Sequence, residues 1–204
     1  MKRLSDWCGD NFSGGRITEL SVYKGDTYKL ELEGGQTFFI NCAIVADYDL
    51  HEGGEMDAEL LEKLQHADKM RKAKKRALYL LGSRMYSYNE LYKKLLPTYG
   101  EEASRAAADA MQEYGYIDDA DYAGKLAEKL IHGKHYGMSK TRWEMQSRGL
   151  DKNLIEDILA EYTDDEIDEE IMRLLRTKYA EKLTRTTAAG LSRLLPGGGI
   201  PTER

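Results

Sequence analysis

The sequence predicts a mainly α protein: tandem three-helix, helix-turn-helix-like repeats forming an elongated array, with a small antiparallel β meander at the N-terminus. Three observations predict it. First, residues 77–162 state one helical pattern twice: with Ser87 set over Gly137, Leu91 falls on Thr141, Leu95 on Met145 and Tyr99 on Gly149. An offset of about fifty residues with three helix-sized segments per period is the mark of a tandem helical array, whose units bury their apolar stripes against one another. Second, period-two apolar runs separated by turn sequences precede the helical part. Third, charge alternates in bands that keep step with the helical units.

Residues 1–15 lack periodicity and carry a Gly-Gly pair, so they read as a tail. In residues 16–56, Ile17, Leu20 and Val22, then Tyr28, Leu30 and Leu32, then Thr37, Phe39 and Asn41 alternate as the inner faces of three strands. Lys24-Gly25-Asp26 and Glu33-Gly34-Gly35-Gln36 turn the chain between them. Three short strands make a marginal unit, so this piece is expected to lean on the helices that follow. Ala43–Asp49 reads as a short helix, and a long one begins near Asp57.

The first helical repeat, with its lead-in helix, spans residues 57–117. Leu60, Leu61, Leu64, Ala67, Met70, Ala73, Ala77, Leu80 and Leu81 follow a helical stripe to Gly82. Ser87-Tyr88-Asn89-Glu90 is a capping box for a helix with Leu91 and Leu95 inside and Pro97 at its end. Ala103, Ala106, Ala107, Ala110, Met111 and Tyr114 form the next inner face. The second repeat, residues 118–163, opens at Asp118 and Asp119 with a stripe of Tyr122, Ala123, Leu126, Ala127, Leu130 and Ile131. Ser139 opens a short helix to Gly149, and Asp151 caps one carrying Leu154, Ile155, Ile158, Leu159 and Tyr162. Thr163-Asp164-Asp165-Glu166 opens a third, incomplete repeat in 164–204 through Ile167, Ile171, Leu174, Leu175 and Tyr179.

No window approaches the apolar length of a membrane span, and no signal-peptide run is seen, so a soluble cytoplasmic protein without membrane contact is expected. Cys8 and Cys42 suggest neither a disulfide framework nor a zinc site. The net charge of −6 argues on its face against nucleic acid, but it averages over opposed bands. Asp47–Glu62 holds seven acidic residues and no lysine or arginine, whereas Lys69–Lys94 holds nine basic residues against Glu90 alone. Residues 99–121 are acidic except for Arg105, 125–148 are net basic, 156–170 purely acidic and 173–185 basic. Local field rather than net charge governs contact with phosphate. The alternative is that each band is a solvated helix face pairing with its neighbour.

The string Tyr114-Gly115-Tyr116-Ile117-Asp118-Asp119-Ala120-Asp121-Tyr122-Ala123, followed by the run from Gly137 to Leu150 with its Arg148-Gly149-Leu150 end, resembles the RecX family of bacterial recombination regulators. Ala77-Leu78, Leu81, Arg84, Ser87, Glu90-Leu91 and Lys94-Leu95 fit the same family in the first repeat, and the likeness covers about residues 71–179. The β-rich segment resembles the extra portion of longer members. The resemblance implies a non-enzymatic regulator that docks in the groove of the RecA filament on single-stranded DNA. There it inhibits recombinase, ATPase and coprotease activity, and so modulates DNA repair and the SOS response. A monomer that needs no cofactor and no metal is expected. The electrostatic candidates for filament or DNA contact are Arg71, Lys72, Lys74, Lys75, Arg76, Arg84, Lys93 and Lys94 in the first repeat. Lys134, Lys140, Arg142 and Arg148 are those of the second. Tyr86, Tyr88, Tyr92 and Tyr136, interleaved with them, suit either base stacking or semi-buried packing.

Two rival readings remain open on the residues. Short helices with tight turns also suit a helix-turn-helix DNA-binding transcription regulator, though a recognition helix as acidic as 154–170 would be repelled by phosphate. Asp118, Asp119 and Asp121 could hold magnesium in a nuclease, but a helix N-terminus favours the same residues. His132 and His135 lack a partner set for a metal. The chain departs from the family at its end, where an arginine-arginine-glycine-aromatic turn and a last helix are expected. Gly190–Arg204, with Pro196, Gly197, Gly198, Gly199 and Pro201, cannot form that helix. Codons permitted for Gly198–Arg204 can encode glycine-tyrosine-serine-tyrosine-arginine in another frame, which motivates the hypothesis of a frameshifted or truncated terminus. Resequencing the locus tests it, and a neighbouring frame without a continuation of the third repeat would sink it.

Overall fold

The computed structural model describes residue 12, residues 14–162, and residues 172, 173 and 176. The chain divides into two compact units, Met1–Asp118 and Asp119–Arg204. The capping box at Thr163, the third repeat with its Leu174 and Leu175, the Gly190–Arg204 terminus and nearly all of the 1–15 tail lie outside the described residues.

Unit 1 opens with antiparallel strands β1 (Gly15–Lys24), β2 (Thr27–Leu32) and β3 (Thr37–Asn41), the expected meander. A fourth strand, β4 (Glu55–Met56), adds to β1 through Gly15 and Arg16, giving the order β3-β2-β1-β4. The inner face of β3 is the opposite of the one expected: Phe38 and Ile40 are buried, while Thr37 and Phe39 are only half-buried. Pairing decides this. Leu30 is wholly buried and stands opposite Phe38, and directly opposed residues share a face, so β3 turns its even-numbered side chains inward. Val22, expected inside, is exposed beside the register shift between Val22 and Lys24. Asn41 is buried for a different reason, since it caps α1 (Cys42–Asp47). Its side chain accepts from the Ala43 amide at 3.0 Å and donates to the Asp26 carbonyl at 3.0 Å.

Helix α2 (Ala58–Leu81) starts at Asp57, which accepts from the Leu60 amide at 2.7 Å. Its buried face changes along its length. Leu61 and Leu64 complete the core of Ile17, Leu30, Leu32, Phe38, Ile40, Ile44 and Met56, so the sheet does lean on the helix. After the buried Asp68, paired with Lys72 at 2.5 Å, burial resumes five residues on at Ala73, Ala77 and Leu80. These belong to a second core with Tyr86, Leu91, Leu95, Ala103, Ala107, Ala110, Met111 and Ile117.

That second core is closed by α3 (Tyr88–Glu113), capped by the buried Ser87 hydroxyl, which accepts from the Glu90 amide at 3.0 Å. Pro97 does not end the helix as expected. The break comes at Gly100, with φ 73° and ψ 177°, and divides α3 into two helical segments. A proline removes a single backbone donor, here within the last turn before the break, where the cost is small. Ala103, Ala107, Ala110 and Met111 face inward as expected, whereas Tyr114 is exposed at the helix end.

Unit 2 is helical over its described residues. In α4 (Asp119–Glu128) Tyr122, Ala123, Leu126 and Ala127 are buried, and the stripe continues through Leu130 and Ile131 in a π-helical turn, Lys129–Gly133. Helix α5 (Met138–Ser147) begins one residue before the expected Ser139, with Gly137 as its cap, and buries Thr141 and Met145. Helix α6 (Lys152–Leu159) is capped by Asp151, which accepts from Asn153 and Leu154, and buries Ile155 and Leu159.

Candidate interaction surface

Helical spacing sorts the cations of α2 into two rows. Arg71, Lys74, Lys75 and the exposed Leu78 stand at i, i+3, i+4 and i+7, while Lys72, Arg76 and the exposed Tyr79 form the neighbouring row. Lys74, Lys75 and Arg76 are exposed; Arg71 and Lys72 are half-buried. Lys72 is neutralised by Asp68, the Arg71 Nε is buried without a hydrogen bond, and the Arg76 guanidinium lies 5.0 Å from the Tyr79 ring centroid. Lys93 and Lys94 are exposed on the first segment of α3.

Three of the candidate arginines are held internally. Arg84 donates to both Glu90 carboxylate oxygens, at 3.2 and 2.7 Å, and lies 3.7 Å from the Tyr86 ring centroid. The Glu90 hydrogen bond raises the Arg84 pKa further above its already high value. In unit 2, Arg142 grips both Glu156 carboxylate oxygens at 2.8 and 3.0 Å, and Arg148 donates to the Tyr122 hydroxyl at 2.9 Å. Such two-pronged pairs hold an arginine in a fixed plane, and a phosphate would have to displace the carboxylate. Lys134 and Lys140 instead flank the Tyr136 ring, with their ammonium nitrogens 5.5 and 3.6 Å from its centroid. The uncompensated candidates are therefore Lys74, Lys75, Arg76, Lys93, Lys94, Lys134 and Lys140, none of which has a carboxylate partner among the described residues.

The Arg142 hydrogen bond also holds the Glu156 carboxyl below the usual glutamate range. Lowering the folded-state pKa means that the pair survives through the ordinary carboxylate range and is lost only as pH falls through that depressed value. A carboxyl-carbon NMR titration of Glu156 is expected to show a depressed midpoint that returns to the ordinary range in Arg142→Gln.

Packing accounts for the interleaved tyrosines. Tyr86 is buried beneath Arg84, and Tyr136 is half-buried under Lys140. Tyr92 lies 6.0 Å from Arg105, and Tyr88 donates to Asp109 at 2.6 Å. Burial, reinforced by that carboxylate, pushes the Tyr88 hydroxyl up to about 12. Other aromatics are exposed: Tyr79, Trp143, and the edge-to-face pair Tyr114 and Tyr116, 6.4 Å apart, of which Tyr114 is expected inside from the sequence. Trp143 had a legible signal, because Thr141 and Met145 define the inner face of α5 and leave the residue between them on the outer side.

Asp119 and Asp121 sit in the first turn of α4, and Asp121 pairs with Lys125 at 2.7 Å. The exposed His132 ring lies 5.9 Å from that of Tyr162, and His135 is half-buried. Among the described residues no group of three or more histidine, cysteine, aspartate or glutamate side chains could hold a metal ion. No described helix is long and apolar enough to cross a membrane.

No protein-family model matches the chain. It is 30% identical over 173 residues to regulatory protein RecX of Leuconostoc citreum, covering 83% of this chain and 62% of that protein. The chain thus spans less than two thirds of that relative's length. It is 28% identical over 174 residues to regulatory protein RecX of Clostridium botulinum, strain Alaska E43, covering 84% of this chain and 81% of the relative. A crystal structure of regulatory protein RecX superposes with a TM-score of 0.67 at 22% identity, covering 83% of this chain and 84% of that one. RecX from Lactobacillus salivarius superposes with a TM-score of 0.51 at 22% identity, covering 66% of this chain and 90% of that one. The chain is thus similar in sequence to RecX regulatory proteins along more than four fifths of its length, and the solved structures share its fold.

Proposed function

We propose that this protein is a non-enzymatic regulator of the RecA recombinase, binding the RecA filament on single-stranded DNA and inhibiting its recombinase, ATPase and coprotease activities. By that route it modulates DNA repair and the SOS response. Similarity to RecX regulators along more than four fifths of the chain carries the reading. Its physical support is the unneutralised set Lys74, Lys75, Arg76, Lys93 and Lys94 on α2 and α3, which suits a polyanion despite the net charge of −6. Acidic stretches such as residues 47–62 complement basic protein surface. The helix-turn-helix alternative gains nothing here, because α6 exposes Glu156 and Asp157 where a recognition helix needs cations.

The test is RecA ATPase on single-stranded DNA with the protein titrated in. Dose-dependent inhibition is expected. Absence of inhibition, both by this chain and by a version with a completed third repeat, overturns the reading.

A further inference from the structure

In the fifty-residue register, Arg84, Tyr86 and Glu90 of the first repeat correspond to Lys134, Tyr136 and Lys140 of the second. The same arrangement is built twice with one charge reversed. In the first repeat, a cation over the tyrosine ring is closed by a carboxylate. In the second, the carboxylate is replaced by another ammonium, so two exposed lysines share one ring, and among the described residues neither has a carboxylate partner. Glu144, four residues after Lys140, makes no ion pair with it, and Arg142 is committed to Glu156. The ring holds the ammonium groups by its negative face, and a bound anion would offset the repulsion between them. One turn beyond Lys140, on the same side of α5, Trp143 is 64% exposed. The α5 cap is Gly137, which has no side chain to accept from the first-turn amides, and the partial positive charge there adds to that of the lysines.

We propose that Lys134, Lys140 and Trp143 form a contact for a single DNA strand in the second repeat, with the lysines on adjacent phosphates and the indole stacked on a base. Tyr136 is a positioning residue: with Lys140 on its ring it serves as a platform for the ammonium rather than for a base. An unpaired cation pair beside an exposed aromatic is the combination that recognises single strands. The first repeat, closed by Glu90, lacks this contact. The inference rests on the functional reading above, which places the protein on single-stranded DNA, and names the residues that would touch the strand.

The experiment is anisotropy of a labelled oligothymidylate with the full chain, without RecA, at several salt concentrations. Each phosphate contact on a single strand adds roughly 0.7 to the slope of log affinity against log salt. K134Q/K140Q is therefore expected to flatten the slope by roughly 1.4. K140E, which restores the charge pattern of the first repeat, is expected to flatten it at least as much. W143A weakens binding roughly tenfold at unchanged slope, as loss of one stacked base should. K125Q, which removes an exposed cation already paired with Asp121, leaves the slope as it was. Unchanged far-UV circular dichroism and unfolding midpoint show that the variants fold. No measurable oligonucleotide binding by the unmodified chain, or an unaltered slope in K134Q/K140Q, overturns the inference. The RecA ATPase assay on the same proteins separates the two readings: inhibition with an unaltered slope removes this contact and leaves the regulatory reading, whereas no inhibition, by this chain or by the version with a completed third repeat, removes the regulatory reading.

Discussion

Phe38→Ala is expected to destabilise the sheet-bearing part of unit 1 by about 3–5 kcal/mol, the usual cost of deleting a buried phenyl ring. Phe38 is wholly buried, stands opposite Leu30 on β2 and meets the Phe12 ring edge-on, with centroids 6.0 Å apart. Its neighbours cannot close the void without breaking the register that holds Leu30 and Leu32 inward. Because the core around Phe38 and the core around Leu91 are separate clusters joined by one helix, the loss is expected to be local. Native-state hydrogen exchange checks it. Amides of β1–β3 and of the first half of α2 should lose protection, while those of residues 88–99 keep theirs. An equal loss in both regions would mean that the two cores unfold as one.

Gly100→Ala is the second large effect, expected at about 1–3 kcal/mol. At φ 73° and ψ 177° the backbone occupies a region that is essentially reserved for glycine. A new Cβ would lie 3.4 Å from the Lys69 ammonium, the far end of a flexible side chain, so the cost comes from the backbone rather than from a clash. If the break were removed, residues 88–113 would be driven towards one continuous helix, pulling Leu91 and Leu95 away from Ala103 and Ala107. A drop in urea midpoint in Gly100→Ala that exceeds any drop in Pro97→Ala checks the assignment of the break to the glycine. Equal midpoints for the two variants would return the break to the proline.

Where apolar residues recur at a helical period behind a clear cap, the sequence was sufficient. The α4 stripe, the Ser87 and Asp151 caps, and Ile155 and Leu159 on the inner face of α6 are all in place. The β3 face was not legible, because Phe38, Phe39 and Ile40 are consecutive and both parities of the strand contain an aromatic ring. Only pairing with β2 selects between them. Strand β4 is two residues long and carries no period at all. The cations of the candidate surface could be listed from the chain, but not sorted. Glu90 lies six residues from Arg84 and Glu156 fourteen from Arg142, and neither pair follows from helical spacing within one element.

The change of buried face along α2 fixes something that no single contact does. Its two halves serve different cores from opposite sides of one continuous rod, so the stretch from Asp68 to Ala73 sets an angular phase between the sheet and the first repeat. Each residue inserted or deleted there turns one half by about 100° relative to the other. A single-residue change would swing Ala73, Ala77 and Leu80 out of their core, whereas an insertion of four brings them back to within about 40°. The length of this segment is thus under tighter geometric constraint than its composition, although half of its surface is wet. The β-rich portion is, for the same reason, no detachable appendage: cutting it away would leave Leu61 and Leu64 as an apolar stripe on the helix that carries the basic rows.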